Sequence, residues 1–171
     1  MKLELFSVPV FIGNVDLKKV KLTSEMGQAF PSRTPSSYNC KNTLDPESAK
    51  YLTNIIAALL KEKYQRFTLR ITNIWRNKYL NKDYQEPHIH VDSHLSFIIY
   101  EKVNSPHTIF YNPAKYLIDA SQVTDTIVFR NFRPQLKQGQ MIVFPSFVEH
   151  MVDTNSDQVT ISGNLDFKLN Q

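Results

Sequence analysis

The sequence predicts a mainly β domain of the sandwich or barrel type. Residues 67–72 alternate apolar and polar side chains, the pattern of a half-buried strand. Further short apolar runs follow, separated by turn signals such as Asn112-Pro113 and Gln138-Gly139. Short strands joined by turns favour a sandwich or barrel over a parallel sheet with crossover helices.

Length and composition indicate a single domain, residues 1–171. A chain of 171 residues with 42% hydrophobic content can build one core, but it is too short to divide into two. We find no internal repeat and no linker.

The first elements are an entry strand and a loop. Residues 3–6 and 8–12 are apolar enough for a strand, which Pro9 interrupts. Residues 23–42 contain the turn-rich stretch Pro-Ser-Arg-Thr-Pro-Ser-Ser and lack periodicity, so we predict a loop there. It is either a surface excursion or a lid over the mouth of a barrel.

A helix follows the loop. Asp45 can cap its N-terminus, with Pro46 in the first turn. Leu52, Ile55, Ile56, Leu59 and Leu60 form an apolar stripe at helical spacing. We predict that this helix buttresses one sheet. Beyond it, strands are predicted at residues 67–72, 95–101, 107–111, 124–130, 140–144 and 158–167.

Several classes of function are disfavoured by composition. The four glycines form neither a phosphate-binding loop nor a dinucleotide fingerprint, which argues against a nucleotide-dependent enzyme. Cys40 is the only cysteine and has no partner for a disulfide or a thiolate metal site, so a reducing cytoplasm fits best. No stretch is apolar enough for a signal peptide or a membrane span.

The charge distribution is uneven but does not indicate nucleic-acid binding. Residues 1–80 hold 13 Lys and Arg against 6 Asp and Glu, a net +7, whereas residues 81–171 hold 7 against 10, a net −3. No basic cluster is interleaved with aromatic residues, so we expect scattered lysines on solvated faces.

Three of the five histidines are candidate metal ligands. His88 and His90 are two residues apart, so an extended chain places both imidazoles on one face. His150 ends an apolar run 60 residues beyond His90, an arrangement that suits a metal held between two strands. Three nitrogen or oxygen ligands on one side of an iron leave positions open for a cosubstrate and oxygen. The alternative is a packing role for the pair; His94 and His107 are expected at the surface.

An ordered set of motifs resembles the 2-oxoglutarate and Fe(II)-dependent oxygenase superfamily, in particular a branch related to prolyl hydroxylases and encoded by bacteria and their phages. The resemblance spans about residues 67 to 167. The motifs are Trp75-Arg-Asn77, Gln85-Glu-Pro-His88-Ile-His90, Ser96-Phe-Ile-Ile-Tyr100, Phe110-Tyr-Asn-Pro113, Gly139-Gln-Met-Ile-Val-Phe144-Pro-Ser146 and His150.

This resemblance implies a double-stranded β-helix, or cupin-like jelly roll, with one or two buttressing N-terminal helices. It implies Fe(II) bound by His88, His90 and His150, with no catalytic residue beyond these ligands. Superfamily members usually carry His-x-Asp or His-x-Glu, so His90 would replace the carboxylate. In the alternative register, His90 and Asp92 are the pair.

The resemblance also implies a site for 2-oxoglutarate, whose residues depart from the pattern. Where the branch carries an Arg that anchors the far carboxylate, this chain has Gln158, which offers no charge. Arg70, Arg130 and Arg133 are the available substitutes. The candidate cosubstrate contacts are Gln158, Thr160, Tyr100 and Asn77.

The resulting hypothesis is a dioxygenase that hydroxylates an unknown substrate, such as a protein or peptide; a homodimer is allowed. Two alternatives stay open. One is a three-histidine, cupin-like metalloenzyme that does not use 2-oxoglutarate, and the other is a non-catalytic jelly-roll interaction protein.

Overall fold

Antiparallel strands dominate the fold. The computed structural model describes residues 7–28, 34–105, 107–121, 129–155 and 157–170. The strands are β1 (Phe11–Asn14), β2 (Leu22–Ser24), β3 (Gly27–Gln28), β4 (Pro35–Ser36), β5 (Asn42–Leu44), β6 (Phe67–Tyr79), β7 (Asp83–His88), β8 (Leu95–Lys102), β9 (Thr108–Tyr111), β10 (Asn131–Phe132), β11 (Gln140–Pro145), β12 (His150–Asn155) and β13 (Gln158–Leu169). The helices are α1 (Pro46–Leu60) and α2 (Lys115–Ala120), and a 3-10 turn spans Leu17–Lys19.

Two main sheets form the jelly roll. The larger has seven strands in the order β1-β11-β8-β13-β6-β4-β3, and the smaller has four in the order β10-β9-β12-β7. Strands β2 and β5 make a separate ribbon. Every strand pairing is antiparallel. The predicted mainly β jelly roll is therefore confirmed.

Helix α1 covers the outer face of the larger sheet, as predicted. The Asp45 carboxylate accepts a hydrogen bond from the Ser48 main-chain N–H at 3.1 Å, which caps the helix. Its buried stripe joins sheet side chains in one core cluster, which includes Leu52, Ile56, Leu60, Phe97, Ile99, Met141 and Ile161. None of the described helices is long and apolar enough to cross a membrane.

A second cluster fills part of the space between the two sheets. It includes Ile98, Tyr100, Phe110, Leu136, Ile142, Phe144 and Val148. The larger sheet is thus covered on both faces, which explains why six consecutive residues of β8 are buried. This packing supports one wall of the site described below.

Some elements differ from the sequence prediction. The predicted loop over residues 23–42 contains short strands, and Ser36 pairs with Asn77 at the edge of β6. Strand β7 was not predicted because it is a half-exposed edge strand without apolar alternation. Helix α2 was missed because it buries no residue and so carries no stripe. The predicted strands at 3–6 and 124–130 lie outside, or mostly outside, the described residues.

Candidate metal centre

Three histidines meet beside the smaller sheet. His88 ends β7 and His150 begins β12, and the two residues are register partners. The rings of His88 and His90 stack with centroids 5.4 Å apart, so the pair shares one side of the chain. The His150 ring lies 4.3 Å from His88 and 5.1 Å from His90. One nitrogen from each ring lies within 4.8 Å of the others, an arrangement that can hold a metal ion.

Hydrogen bonds fix the tautomer of each imidazole. The Nδ1 atoms of His88 and His150 lie 2.7 Å from the Glu86 carbonyl and 3.1 Å from the Val148 carbonyl. Nδ1 of His90 lies 2.6 Å from Oδ1 of Asn164. A carbonyl oxygen has no hydrogen to give, so each Nδ1 donates and each Nε2 keeps a free lone pair. All three rings therefore offer Nε2 to a metal.

Burial keeps these imidazoles neutral. It lowers the pKa of His90 from 6.5 to about 4 and also lowers the pKa of His88. The pKa of His150 is held well below 6.5 by burial and by the other two histidines. Neutral imidazole is the form that binds metal ions, so the cluster is ready for a cation at neutral pH.

The lowered pKa values predict that the metal-free protein loses stability on mild acidification. The unfolded chain takes up protons near pH 6.5 whereas the folded histidines do not, so the free energy of unfolding falls as the pH drops below about 6.5. Urea unfolding at pH 7.5 and 5.5 measures this change. His150→Phe should reduce the dependence of the free energy of unfolding on pH. An unchanged dependence would mean that His150 is protonated as freely in the folded state as in the unfolded state.

Asp92, the alternative partner of His90, lies outside the cluster. Its side chain is exposed and its backbone has a φ of 57°, so the chain turns before β8 begins. This turn breaks the period of two that would place Asp92 on the face of His90. Across the described part of the chain, the cluster consists of histidines alone.

A cavity of about 950 Å³, its open mouth included, adjoins the histidines. Its other walls come mainly from β6 and β13. Ser36 in β4 and Tyr38, two residues further along the chain, also line it. Within the described residues, no Lys, Arg, Asp or Glu lines it. The described lining is therefore uncharged and combines polar with apolar side chains.

The end of the cavity formed by Tyr79, Thr108 and Thr160 has unused hydrogen-bonding groups; we call it the distal end. Gln158 does not itself line the cavity, but it adjoins this end as the register partner of Tyr79 and on the face of β13 that carries Thr160. Both amide atoms of Gln158 and the hydroxyl of Thr160 are buried without a hydrogen-bond partner among the described residues. Each such group costs about 1–3 kcal/mol, so this end is suited to a polar ligand.

The other two cosubstrate candidates already have protein partners. Asn77 lines the cavity, where its amide oxygen accepts from the Ser36 hydroxyl at 2.6 Å. Tyr100 does not line the cavity, but its hydroxyl donates to Thr108 at 2.8 Å. Burial raises the pKa of Tyr100 to about 12, so this donor keeps its proton.

None of the three candidate arginine substitutes lines the cavity. Arg70 is 75% exposed and pairs with Asp166. Arg130 pairs with Asp119, and Arg133 pairs with Asp153. None of these three arginines is thus in position to replace the expected charge at Gln158.

Sequence reasoning missed the aromatic wall of the cavity. Tyr38 packs edge-on against Trp75 at 4.9 Å between ring centroids, and the Trp75 ring lies 5.5 Å from that of His90. Trp75, which begins one of the motifs of the resemblance, is nearly buried. Tyr38 lies in the predicted loop, where no periodicity marks it as part of a site.

The fold and the histidine cluster define a jelly-roll protein with a candidate metal centre. The chain belongs to the 2OG-Fe(II) oxygenase family, because the model of the family described as "Putative 2OG-Fe(II) oxygenase" matches residues 73–164. This stretch contains all three histidines. The protein is therefore an oxidoreductase that depends on Fe(II) and 2-oxoglutarate, which confirms the oxygenase hypothesis.

Solved structures share the fold at low sequence identity. A 2OG-Fe(II) oxygenase family oxidoreductase from Burkholderia pseudomallei is 12% identical, with a TM-score of 0.57 over 85% of this chain and 74% of that chain. HygX from Streptomyces hygroscopicus, with nickel and 2-oxoglutarate bound, is 9% identical, with a TM-score of 0.55 over 83% and 73%. A Pseudomonas putida prolyl-4-hydroxylase is 11% identical, with a TM-score of 0.55 over 86% and 78%. No curated protein matches the chain.

Proposed function

We propose that His88, His90 and His150 hold Fe(II), that 2-oxoglutarate lies in the adjoining cavity, and that the enzyme hydroxylates a neutral segment of a peptide or protein. The observation that carries this proposal is the convergence of three neutral imidazoles on an uncharged cavity. The unpaired hydroxyl of Thr160 at its distal end, and the unpaired amide of Gln158 two residues earlier on β13, support a site for the cosubstrate there.

The histidines fit a catalytic metal. Imidazole nitrogen is a common ligand of Fe(II), and three ligands leave coordination positions open. When bound, Fe(II) would supply the redox chemistry that couples decarboxylation of 2-oxoglutarate to hydroxylation of a C–H bond. The protein itself orients the three rings through their Nδ1 donors and keeps them neutral.

The distal end fits the far carboxylate of 2-oxoglutarate through neutral donors. The amide of Gln158 and the hydroxyl of Thr160 are free to donate among the described residues. Thr108 accepts from Tyr100, so its own hydroxyl hydrogen also stays available. Hydrogen bonds from neutral donors are weaker than those from a guanidinium, so we expect weak cosubstrate binding.

The cavity mouth supports a substrate that presents an uncharged group. Tyr38, Ile89 and Val91 line it and are 47%, 49% and 70% exposed. A free amino acid would bring charges that none of the described cavity side chains can pair, whereas a residue within a peptide would not. The likeness to a prolyl-4-hydroxylase fold is compatible with such a substrate.

This proposal predicts that neutral peptides, and not free amino acids, stimulate 2-oxoglutarate turnover. The iron-loaded enzyme is mixed with acetylated, amidated heptapeptides carrying a central proline, leucine or asparagine among alanines, and with the same free amino acids. Succinate is measured together with the gain of one oxygen atom in the peptide. Tyr38→Ala should raise KM more than it lowers kcat. Stimulation by the free amino acids alone would contradict the proposed substrate class.

The remaining predictions concern organisation and location. We propose that residues 1–171 act as one domain, supported by the sharing of one sheet between β1 and β13. A cytoplasmic location is supported by the single Cys40. The homodimer stays a prediction that size measurement in solution can test.

A further inference from the structure

His90 differs from the other two histidines in the hydrogen-bond acceptor of its Nδ1 atom. The Nδ1 atoms of His88 and His150 donate to main-chain carbonyls two residues earlier on their own segments. Side-chain substitutions cannot remove those acceptors. Nδ1 of His90 donates instead to the side chain of Asn164, which is 74 residues away in the sequence. The orientation of His90 therefore depends on a residue that mutation can change.

Asn164 is itself held in place by buried serines. Its Oδ1 accepts from the Ser96 hydroxyl at 3.1 Å, and Ser96 is its register partner on β8. The Ser96 hydroxyl lies 2.8 Å from that of Ser146, which lies 3.0 Å from that of Ser93. Ser96 and Ser146 are at most 1% exposed. We call Ser93, Ser96, Ser146 and Asn164 the serine–asparagine network.

The amide oxygen of Asn164 faces both the Ser96 hydroxyl and the ring of His90. Because Ser96 and Nδ1 of His90 both meet Oδ1, the carbonyl side of the amide faces them, and an amide oxygen can only accept. Nδ1 of His90 must then carry the hydrogen, which leaves Nε2 with its lone pair. The main-chain N–H of His90 also donates to the Ser146 carbonyl at 3.0 Å. Ser146 thus contacts both His90 and the network that orients its ring.

We propose that Asn164 is a positioning residue for His90, supported by Ser96 and Ser146, and that this network makes an imidazole usable as the third metal ligand. The inference rests on the proposed metal centre. It assigns to Asn164 a role in metal affinity. A residue that only contacted the substrate would not affect metal affinity.

Three variants of the full chain test this role, with Co(II) as a spectroscopic substitute for Fe(II). Asn164→Leu keeps the approximate volume but removes the acceptor, and Asn164→Asp keeps an acceptor oxygen. We expect Asn164→Leu to weaken Co(II) binding by about ten- to a hundredfold, the usual effect of losing the hydrogen-bond partner of a ligand. Asn164→Asp should bind as tightly as the wild type or tighter. Ser96→Ala should fall between them.

The visible Co(II) spectrum separates positioning from general destabilisation. At saturating Co(II), Asn164→Leu should show shifted d–d bands, because His90 no longer holds its orientation, whereas Asn164→Asp should retain the wild-type bands. Ser48→Ala is the matched control: it removes a buried serine hydroxyl at the start of α1, far from the histidines in the sequence. It should lower the melting temperature without changing Co(II) affinity or spectrum.

The outcomes distinguish this inference from the proposed function. If the wild type binds Co(II) and Asn164→Leu binds it with the same affinity and spectrum, the role of Asn164 is wrong. If Asn164→Leu fails to fold, the other two variants decide. The positioning role of Asn164 is then wrong if Ser96→Ala keeps the wild-type Co(II) affinity and spectrum and Asn164→Asp loses affinity. If the wild type itself binds no metal, the proposed metal centre fails first.

Discussion

Replacing His150 with alanine is expected to abolish Fe(II) binding. His150 supplies one of three proposed ligands and lies between β7 and β9, where no other described His, Cys, Asp or Glu joins the cluster. Loss of a partner that only orients a ligand costs about ten- to a hundredfold in affinity, so loss of the ligand itself should cost more than about a hundredfold. Anaerobic equilibrium dialysis with Fe(II) measures the change.

Asp92→Asn is the matched control for His150→Ala. Asparagine tolerates the positive φ at this position, so the turn should persist while the carboxylate is removed. The proposed histidine set predicts unchanged iron binding in Asp92→Asn, whereas the His90 and Asp92 pairing predicts a loss. His150→Ala also removes a buried ring beside Phe110 and Phe144, so its folding is checked by circular dichroism. A folded His150→Ala protein that binds iron normally would eliminate the proposed centre.

Replacing Gln158 with arginine is expected to tighten 2-oxoglutarate binding by about a hundredfold. A guanidinium at this position would give the far carboxylate a charge-assisted, bidentate partner. Such a pair is worth about 2–5 kcal/mol when partly buried, and about 1.4 kcal/mol corresponds to tenfold in affinity. Burying the arginine side chain offsets part of this gain. The expected gain in binding free energy therefore lies near the lower end of the about 2–5 kcal/mol range.

Gln158→Met provides the opposite test, since it keeps the length of the side chain but removes its donors. It should weaken 2-oxoglutarate binding, while Gln158→Arg strengthens it. Dissociation constants are measured anaerobically by calorimetry on metal-loaded protein. Equal affinities in the wild type and both variants would mean that the far carboxylate is bound elsewhere in the cavity.

The sequence predicts the elements whose local pattern matches their burial. Asp45 and the stripe from Leu52 to Leu60 identify α1 because one face of the helix is buried and its first turn is capped. Strands β8 and β11 are marked by apolar runs because the larger sheet is covered on both faces, whereas β13 is marked by alternating polar and apolar residues. The spacing of His88 and His90 similarly predicts that their rings share one side.

The rest of the site depends on contacts between distant parts of the chain. Asn164 reaches His90 only because β13 pairs with β8 in a register that no local pattern encodes. Tyr38 joins the cavity wall because Ser36 pairs with Asn77 at the edge of β6. The suggestion of Arg70 as a substitute anchor failed for a related reason: alternation shows which residues share a face of the strand but not which face meets the cavity, and Arg70 is exposed.

The central claim is that three histidines and the adjoining cavity bind Fe(II) and 2-oxoglutarate together. The most direct test is an anaerobic titration of metal-free protein with Fe(II) and then with 2-oxoglutarate, followed by visible absorption. Chelation of Fe(II) by a 2-oxo acid gives a weak charge-transfer band, and we predict that the band develops only when both are present. Iron binding without this band would instead support the three-histidine metalloenzyme, and no iron binding at all would contradict the proposed metal centre.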